Sequence, residues 1–359
     1  MDEHVMTVRG RVPPEDIGPT SMHDHVFSDA RQAWWAPETF EEPGLTEEPL
    51  DPRNAGLARW NALGIRDNLY LGLQDFDEQV VEVRDFASAG GSCLVDLTCT
   101  GISPEPEALK SLAERLDLHV VAGCGYYVHP THPEWLEEAN VETIASEIER
   151  DVVSGLGNTG IHPGIIGEIG TSEELFGCEE RVLRAAARVA NATDTAMNVH
   201  TTATGKHAVR IVEIVVNEGL DARRLVFSHL DEVLELSYHL DVLASGATIG
   251  FDSFGCDVYF ARLWKSPSDM EKIAGLVALL ERGYEDQLVL GHDVSLKCQL
   301  KRFGGLGYDH ILKRIAPTLT RHYGIASEVV EKLLTANPRR ILTRGSHTPA
   351  DVTTSGTTR

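Results

Sequence analysis

Short apolar runs alternate with amphipathic segments along most of the chain. The runs have the near-continuous apolar character of strands buried on both faces, and the longer segments repeat with the helical period. The pattern predicts eight strands, at residues 18–25, 92–98, 118–123, 164–169, 195–200, 225–229, 247–251 and 287–292. It predicts helices at residues 76–89, 105–116, 141–156, 178–192, 204–218, 231–244, 268–282, 308–321 and 326–335. Eight such strands, separated by helices without a dividing linker, predict an α/β fold of the (β/α)8 TIM-barrel type.

Three segments do not follow this alternation. Residues 5–17 end their alternating pattern at two prolines, so we expect a short N-terminal β-hairpin that covers one end of the barrel. Residues 27–73 predict a long irregular loop after the first strand, which is either functional or a solvated insertion. Residues 345–359 are rich in Ser, Thr and Gly and predict a disordered tail, which leaves one barrel domain over residues 1–344.

Composition and charge narrow the range of partners. The chain has 359 residues and a formal net charge of -23, which repels phosphate backbones and anionic lipid. We therefore expect a small-molecule substrate, with neither nucleic acid nor a membrane as partner; a homodimer is compatible with the sequence. The acidic N-terminus shows no secretory signal, and no apolar run reaches membrane-spanning length. The six cysteines lack a C-x-x-C spacing, which is typical of reduced, buried thiols and indicates a cytoplasmic protein.

Potential metal ligands stand at the ends of five predicted strands. His23 and His25 project to one side of the first strand because side chains alternate along it. The fourth, fifth, sixth and eighth strands end near Glu168, His200, His229 and Asp293. Taken singly, each is more often a structural, hydrogen-bonded residue. The C-terminal ends of barrel strands converge, however, and four imidazoles with two carboxylates would be unfavourable there without a cation. The joint pattern predicts a metal site.

The sequence resembles the phosphotriesterase-related family of the amidohydrolase superfamily, a group also described as resiniferatoxin-binding. The resemblance is nearly full length. It rests on Thr7-Val8-Arg9-Gly10, the His23-x-His25 pair, Gly167-Glu168-Ile169-Gly170, Ser228-His229-Leu230-Asp231, Gly291-His292-Asp293 and Asn337-Pro338-Arg339-Arg340. It implies a barrel with two divalent ions, usually zinc. On this resemblance His23, His25 and Asp293 bind the more buried ion and His200 and His229 the exposed one, while a fourth-strand residue and a hydroxide bridge them.

Two departures limit what the resemblance implies about the substrate. Relatives that hydrolyse paraoxon carry a carbamylated lysine on the fourth strand, whereas this chain has Glu168, as does a sub-branch of the family. Ser253 stands where an arginine or histidine is common, and Ser103 where an arginine is common. The substrate is therefore not to be copied from any one relative.

The expected chemistry is hydrolysis. Two ions that share a water lower its pKa toward about 7 and polarise the carbonyl or phosphoryl oxygen under attack. Asp293 is predicted to act as ligand and as acceptor of the water's proton, with a ligand-only role as the alternative. Tyr127 is predicted to donate a hydrogen bond to the developing oxyanion, or else to be a packed aromatic. Tyr126 is expected to point away from the site.

Other polar residues are given supporting roles. His129, His132, His207 and His239 are expected at the surface or behind the site, and Asp252 is expected to make structural hydrogen bonds. Lys297, Lys301 and Arg302 suit either an anionic substrate group or a solvated loop. Three functions follow: a hydrolase of esters, lactones or amides, a metal-retaining binding protein with little turnover, and a phosphotriesterase.

Overall fold

The computed structural model describes residues 3–33, 46–202, 206–260 and 264–345. In chain order the strands in these residues are β1 (His4–Thr7), β2 (Gly10–Val12), β3 (Thr20–Asp24), β4 (Ser28–Asp29), β5 (Tyr70–Leu71), β6 (Cys93–Asp96), β7 (His119–Ala122), β8 (Ile166–Gly170), β9 (Met197–His200), β10 (Leu225–Ser228), β11 (Thr248–Phe251), β12 (Tyr259–Phe260), β13 (Trp264–Lys265), β14 (Leu288–Leu290) and β15 (Thr343–Arg344). The α-helices are α1 (Ala55–Trp60), α2 (Phe76–Ser88), α3 (Pro106–Leu116), α4 (Val141–Ser154), α5 (Gly177–Thr193), α6 (Ala208–Asn217), α7 (Leu236–Leu243), α8 (Asp269–Leu280), α9 (Ala316–Tyr323), α10 (Ser327–Glu331) and α11 (Asn337–Leu342).

Eight parallel strands close into the predicted barrel. One run of neighbours is β3-β6-β7 and the other is β8-β9-β10-β11-β14. Backbone hydrogen bonds join the two runs at both seams: Gly167 N donates to Cys124 O at 2.7 Å, and Asp293 N donates to His23 O at 3.0 Å. Gly123 permits the first seam, because a Cβ at that position would collide with the carbonyl oxygen of Gly167. The (β/α)8 prediction is confirmed.

Alternation along the strands explains why both faces of the sheet are apolar. In β10, Val226 faces the barrel interior, whereas Leu225 and Phe227 face the surrounding helices. In β14, Val289 faces inward and its neighbours face outward in the same way. Burial on both faces is what produces the continuous apolar runs in the sequence.

The N-terminal hairpin forms as predicted. β1 pairs antiparallel with β2 and, on its other side, with β15. Val5 and Ile17 are fully buried in the interior cluster, together with Ile341 and Leu342 from α11. The two chain ends thus cover the N-terminal end of the barrel jointly.

The remaining expectations need correction at several points. The segment 27–73 contains regular structure, because β4 pairs with β5 and α1 lies between them in the chain. Residues 34–45 of this segment lie outside the described residues. The predicted tail beyond residue 345 lies outside them as well. The helix predicted at 231–244 begins only at Leu236, because the carboxylates of Asp231 and Glu232 accept hydrogen bonds from Ser253 and Ser266, in the segments that follow β11 and β13. The last two predicted helices contain π-helical turns at Ile311–Ile315 and Lys332–Ala336.

Two further expectations concern thiols and membranes. All six cysteines are buried and free. Among the described helices, none combines the length and apolar character needed to cross a bilayer.

Candidate metal centre

The six predicted ligand residues meet at the C-terminal end of the barrel. His23 lies in β3, Glu168 in β8 and His200 at the end of β9. The other three lie just after strands: His25 and His229 directly follow β3 and β10, and Asp293 is three residues beyond the end of β14. This placement is the one that the strand-end pattern predicts.

Glu168 lies between two groups of imidazoles. Its Oε1 is 3.3 Å from Nε2 of His25. Its Oε2 is 3.1 Å from Nδ1 of His200 and 3.5 Å from Nε2 of His229. The side chains of His23 and His25 are 0% and 3% exposed, against 15% and 9% for His200 and His229, so one group lies deeper than the other. One carboxylate therefore contacts both a deep and a shallow group of nitrogen donors.

Asp293 contacts both histidines of the deeper group, although its own side chain is 20% exposed. Its Oδ1 lies 3.3 Å from Nε2 of His25 and 3.7 Å from Nε2 of His23. Asp293 and His229 both have left-handed backbones, with φ of +47° and +63°. Such conformations are unfavourable for residues other than glycine and concentrate at functional sites, where the surrounding structure holds them.

Buried polar groups fix the histidine rings from behind. Asp252 accepts a hydrogen bond from Nδ1 of His23 at 2.9 Å, and its other oxygen lies 3.4 Å from Nδ1 of His229 and accepts from the backbone N of His229 at 2.8 Å. Nδ1 of His25 lies 2.9 Å from Oγ1 of Thr98. These contacts turn the Nε2 atoms of His23 and His25 toward the centre, where they are 3.3 Å apart. Carboxylates behind metal-binding histidines commonly have this orienting role.

The electrostatics of the cluster fit a divalent cation. Burial alone would lower the pKa of His23, but the carboxylates of Glu168 and Asp252 raise it well above its usual range. Burial opposes the same shift at His25, where hydrogen bonds that the imidazole donates to Asp293 and Glu168 raise the pKa to about 9. Burial would raise the pKa of Glu168, yet the imidazoles of His23 and His200 hold it far below normal. The buried carboxylates thus favour positive charge at the centre of the cluster. Imidazole nitrogens and carboxylate oxygens are donors that suit zinc and similar ions.

A cavity of about 340 Å³ opens onto this cluster. Its walls are mainly apolar and include Leu63, Leu69, Ile102, Phe260, Trp264 and Leu296. Among the described residues that line it, none is a lysine or arginine, and Glu232 is the one charged side chain outside the six predicted ligands. The cavity therefore presents an apolar wall, an acidic group and the donor cluster.

Tyr127 lines this cavity, whereas Tyr126 does not. The ring of Tyr127 meets that of His200 edge to face, with centroids 4.9 Å apart. Burial, with Glu168 and Asp293 nearby, raises the pKa of Tyr127 well above its usual value, so the phenol keeps its proton. Tyr126 packs in the outer core against Trp135.

The other histidines bond to backbone carbonyls or lie apart from the cavity. His132, His207 and His239 have Nε2 within hydrogen-bond distance of the carbonyl oxygens of Tyr127, Glu173 and Leu230. His129 belongs to a separate cluster with Glu137.

The basic residues after β14 form neither an anion site nor a solvated loop. Lys297 donates to Asp67 at 2.8 Å, Lys301 contacts Asp85 and Asp309 at 2.6 Å each, and Arg302 lies 3.4 Å from Asp75. Each basic side chain is thus paired with an acidic one. The pairs with Asp67, Asp75 and Asp85 attach the loop after β14 to α2 and to the segment before it.

Sequence reasoning missed a buried charge network beside the cavity. Lys272 of α8 is 0% exposed and donates to the backbone oxygen of Ser253 at 2.6 Å, with Glu232 at 3.5 Å. Ser253 in turn donates through N and Oγ to Asp231, at 3.0 and 2.9 Å. Burial raises the pKa of Asp231 to about 7, against the opposing effect of Lys272. The network holds the segment that follows Asp252, the residue that orients two of the imidazoles.

Asp252 makes the structural hydrogen bonds that were expected of it, and it makes them directly beside the site. It follows β11 directly, as His229 follows β10, so the rule that selected the predicted ligands also applies to it. Lys272 carried no such signal, because a lone lysine in an amphipathic helix is usually exposed.

The barrel, the strand-end donors and the cavity together define a metal-dependent hydrolase. The chain belongs to the phosphotriesterase family, whose sequence profile matches residues 3–342. The N-acetyltaurine hydrolase of Danio rerio is 33% identical over 343 residues, which cover 94% of this chain and 97% of that protein.

Solved structures agree with this assignment. A resiniferatoxin-binding protein from Rhodobacter sphaeroides superposes with a TM-score of 0.91 at 34% identity, over 94% of both chains. A lactonase from Listeria monocytogenes superposes with a TM-score of 0.76 at 24% identity, over 94% of this chain and 98% of that one, which shows the common fold. The family resemblance predicted from the sequence is confirmed.

Proposed function

We propose that this protein is a zinc-dependent, two-metal hydrolase that cleaves the amide bond of a small N-acyl compound. The observation that carries the proposal is the position of Glu168, whose carboxylate contacts both the deeper pair of imidazoles, His23 and His25, and the shallower His200. The full-length similarity to N-acetyltaurine hydrolases favours an amide over an ester, lactone or phosphotriester.

The donors divide into two sets. His23, His25 and Asp293 would hold the deeper ion, and His200 and His229 the shallower one, with Glu168 shared between them. Two bound ions would supply a water activated near neutral pH and a polarised carbonyl group. Glutamate is ionised at neutral pH without prior modification, so assembly of the site requires no carbon dioxide.

Asp293 and Tyr127 act on the substrate side. The carboxylate of Asp293 is 20% exposed, which leaves it accessible to accept a proton from the attacking water and return it to the leaving nitrogen. Tyr127 is a neutral phenol on the cavity wall beside His200, and it donates a hydrogen bond toward the carbonyl oxygen as charge develops there.

The cavity walls favour an uncharged substrate. N-acetyltaurine carries a sulfonate, and among the described lining residues this anion would meet apolar side chains and Glu232, which is already paired with Lys272, but no lysine or arginine. We therefore expect neutral N-acyl amines to be better substrates than N-acetyltaurine.

A panel of substrates tests the reaction. Protein as purified, protein stripped with a chelator, and stripped protein restored with zinc are each given an N-acetyl alkylamine, N-acetyltaurine, a γ-lactone and a phosphotriester. We expect zinc-dependent release of the amine, with the highest kcat/KM for the neutral amide. Two bound ions with no turnover of any substrate would make the protein a binding protein, and faster opening of the lactone would reassign it as a lactonase.

Reactivation of the stripped protein tests the role of Glu168. Zinc alone should restore activity, and added bicarbonate should change nothing. Glu168→Gln keeps the shape but removes the charge shared by the two ions, so the shallower ion should be lost first. Full retention of both ions in this variant, by elemental analysis, would show that Glu168 does not bridge them.

A further inference from the structure

A second group of ligand-type side chains lies outside the cavity, in the segments that follow β7 and β8. His129 lies in the loop after β7, Glu137 ends a 3₁₀ turn in the same loop, and Cys178 lies in the first turn of α5. One donor atom from each residue lies within 4.8 Å of the others. We propose that His129, Glu137 and Cys178 form a third zinc site, which joins the loop after β7 to α5.

The separation of the His129 and Glu137 ligand atoms suits tetrahedral zinc. Ligand atoms at the usual zinc–nitrogen, zinc–oxygen and zinc–sulfur bond lengths lie roughly 3.3–3.7 Å from one another. Nε2 of His129 is 3.4 Å from Oε2 of Glu137. Three protein ligands leave the fourth position to water, and imidazole, carboxylate and thiolate are the three groups that zinc accepts together.

The backbone is already held in place for such a site. Glu179, next to Cys178, accepts a hydrogen bond from the backbone N of His129 at 2.9 Å. Arg181, one turn further along α5, donates to the backbone oxygen of Glu137 at 2.5 Å. The ring of His129 also packs on Phe176, with centroids 4.4 Å apart. Binding a metal would therefore order few additional groups.

The acidic groups at this site favour a cation. Burial and the nearby carboxylate of Glu137 raise the pKa of the Cys178 thiol. A metal ion reverses this preference, because it stabilises the thiolate and the carboxylate together. The site lies on the loop that carries Tyr127, whose backbone oxygen is 2.6 Å from Nε2 of His132, so zinc would stiffen that loop rather than act on substrate.

Cobalt provides a test that separates this site from the main centre. The six predicted ligands of the main centre include no cysteine, so a thiolate-to-cobalt charge-transfer band in the near ultraviolet would report on a different site. Stripped full-length protein is loaded with Co²⁺ and passed through a desalting column. We expect the band in the wild type and its loss in Cys178→Ser. The zinc content per chain, measured by elemental analysis, should fall from three ions in the wild type to two in the same variant.

Matched variants and alternative outcomes keep the test decisive. Glu137→Gln should lower the apparent affinity for cobalt, measured from this band, at least tenfold. Glu138→Gln, at the exposed neighbouring position, should leave that affinity unchanged. A band that persists in Cys178→Ser would come from Cys99 or Cys256 near the cavity and would overturn the proposal. Equal zinc contents in the wild type and in Cys178→Ser, or an additional ion that desalting removes, would overturn it as well.

Discussion

The two ends of the barrel are built from the same eight strands but are stabilised in different ways. At the N-terminal end the chain termini cover an apolar interior: Val5, Ile17, Ile341 and Leu342 are all at most 1% exposed. At the C-terminal end the strands present imidazoles and carboxylates that are almost as deeply buried, with Glu168 at 1%.

This difference shows how stability and function are separated in the molecule. The apolar end requires only close packing. The polar end holds charges that are tolerated because each is paired, and the neighbouring carboxylates raise the pKa values of His23 and His25, which favours positive charge there. Substitutions at the polar end should therefore affect metal binding and turnover, and those at the apolar end should affect unfolding.

The largest effect is expected for Asp293→Asn. Loss of the proton acceptor should lower kcat by about 10²- to 10⁴-fold, with the thermal unfolding temperature nearly unchanged. Steady-state kinetics, with metal content measured in parallel, checks this. Asp241→Asn, at an exposed position on α7, is the control. Normal kcat in a metal-loaded Asp293→Asn protein would leave Asp293 as a ligand only.

Ile17→Ala tests the apolar end. Its side chain is 0% exposed and packs in the interior cluster, so truncation should lower the free energy of unfolding by about 2–5 kcal/mol. Metal content and kcat of the folded protein should stay at wild-type values. Urea unfolding followed by circular dichroism measures the change, with Val81→Ala on the exposed face of α2 as the control. A large fall in metal affinity would mean that the two ends are coupled.

Asp252→Asn should have an intermediate effect. The amide keeps the shape but weakens the hydrogen bonds that orient His23 and His229, so metal affinity should fall by about 10- to 100-fold. Competition with a zinc chelator measures it. Thr98→Val, which removes the contact behind His25, should lower affinity less because it removes a neutral partner. Equal affinities in wild type and Asp252→Asn would exclude an orienting role.

Much of the fold could be predicted from the sequence because each barrel strand is buried on both faces. Val226 and Phe227 are adjacent and both apolar, since one faces the interior and the other faces the helices. The six strand-end donors could be predicted for a related reason: the topology brings together residues that are far apart in sequence.

What escaped prediction depends on partners from distant elements. Lys272 lies in an ordinary amphipathic helix, and only the approach of Ser253 and Glu232 explains its burial. The helix α7 begins late for the same reason. Asp231 accepts a hydrogen bond from Ser253, in the segment after β11, instead of beginning a helix. His129 and Cys178 lie on different elements, and neither has a ligand-type spacing in the sequence.

The smallest of these effects is expected for Tyr127→Phe, which distinguishes the two roles considered for this residue. The ring is held by its contact with His200 and by backbone hydrogen bonds to Thr100 and His132, so phenylalanine should occupy the same place. If the phenol donates to the developing oxyanion, its loss removes one neutral hydrogen bond, worth about 0.5–1.5 kcal/mol, or roughly two- to tenfold in kcat. KM should change little, because the bond strengthens only as charge develops. Tyr127→Leu should in addition raise KM, since it removes the aromatic wall. Unchanged kcat in the phenylalanine variant, with a raised KM in the leucine variant, would identify Tyr127 as a packing residue of the cavity.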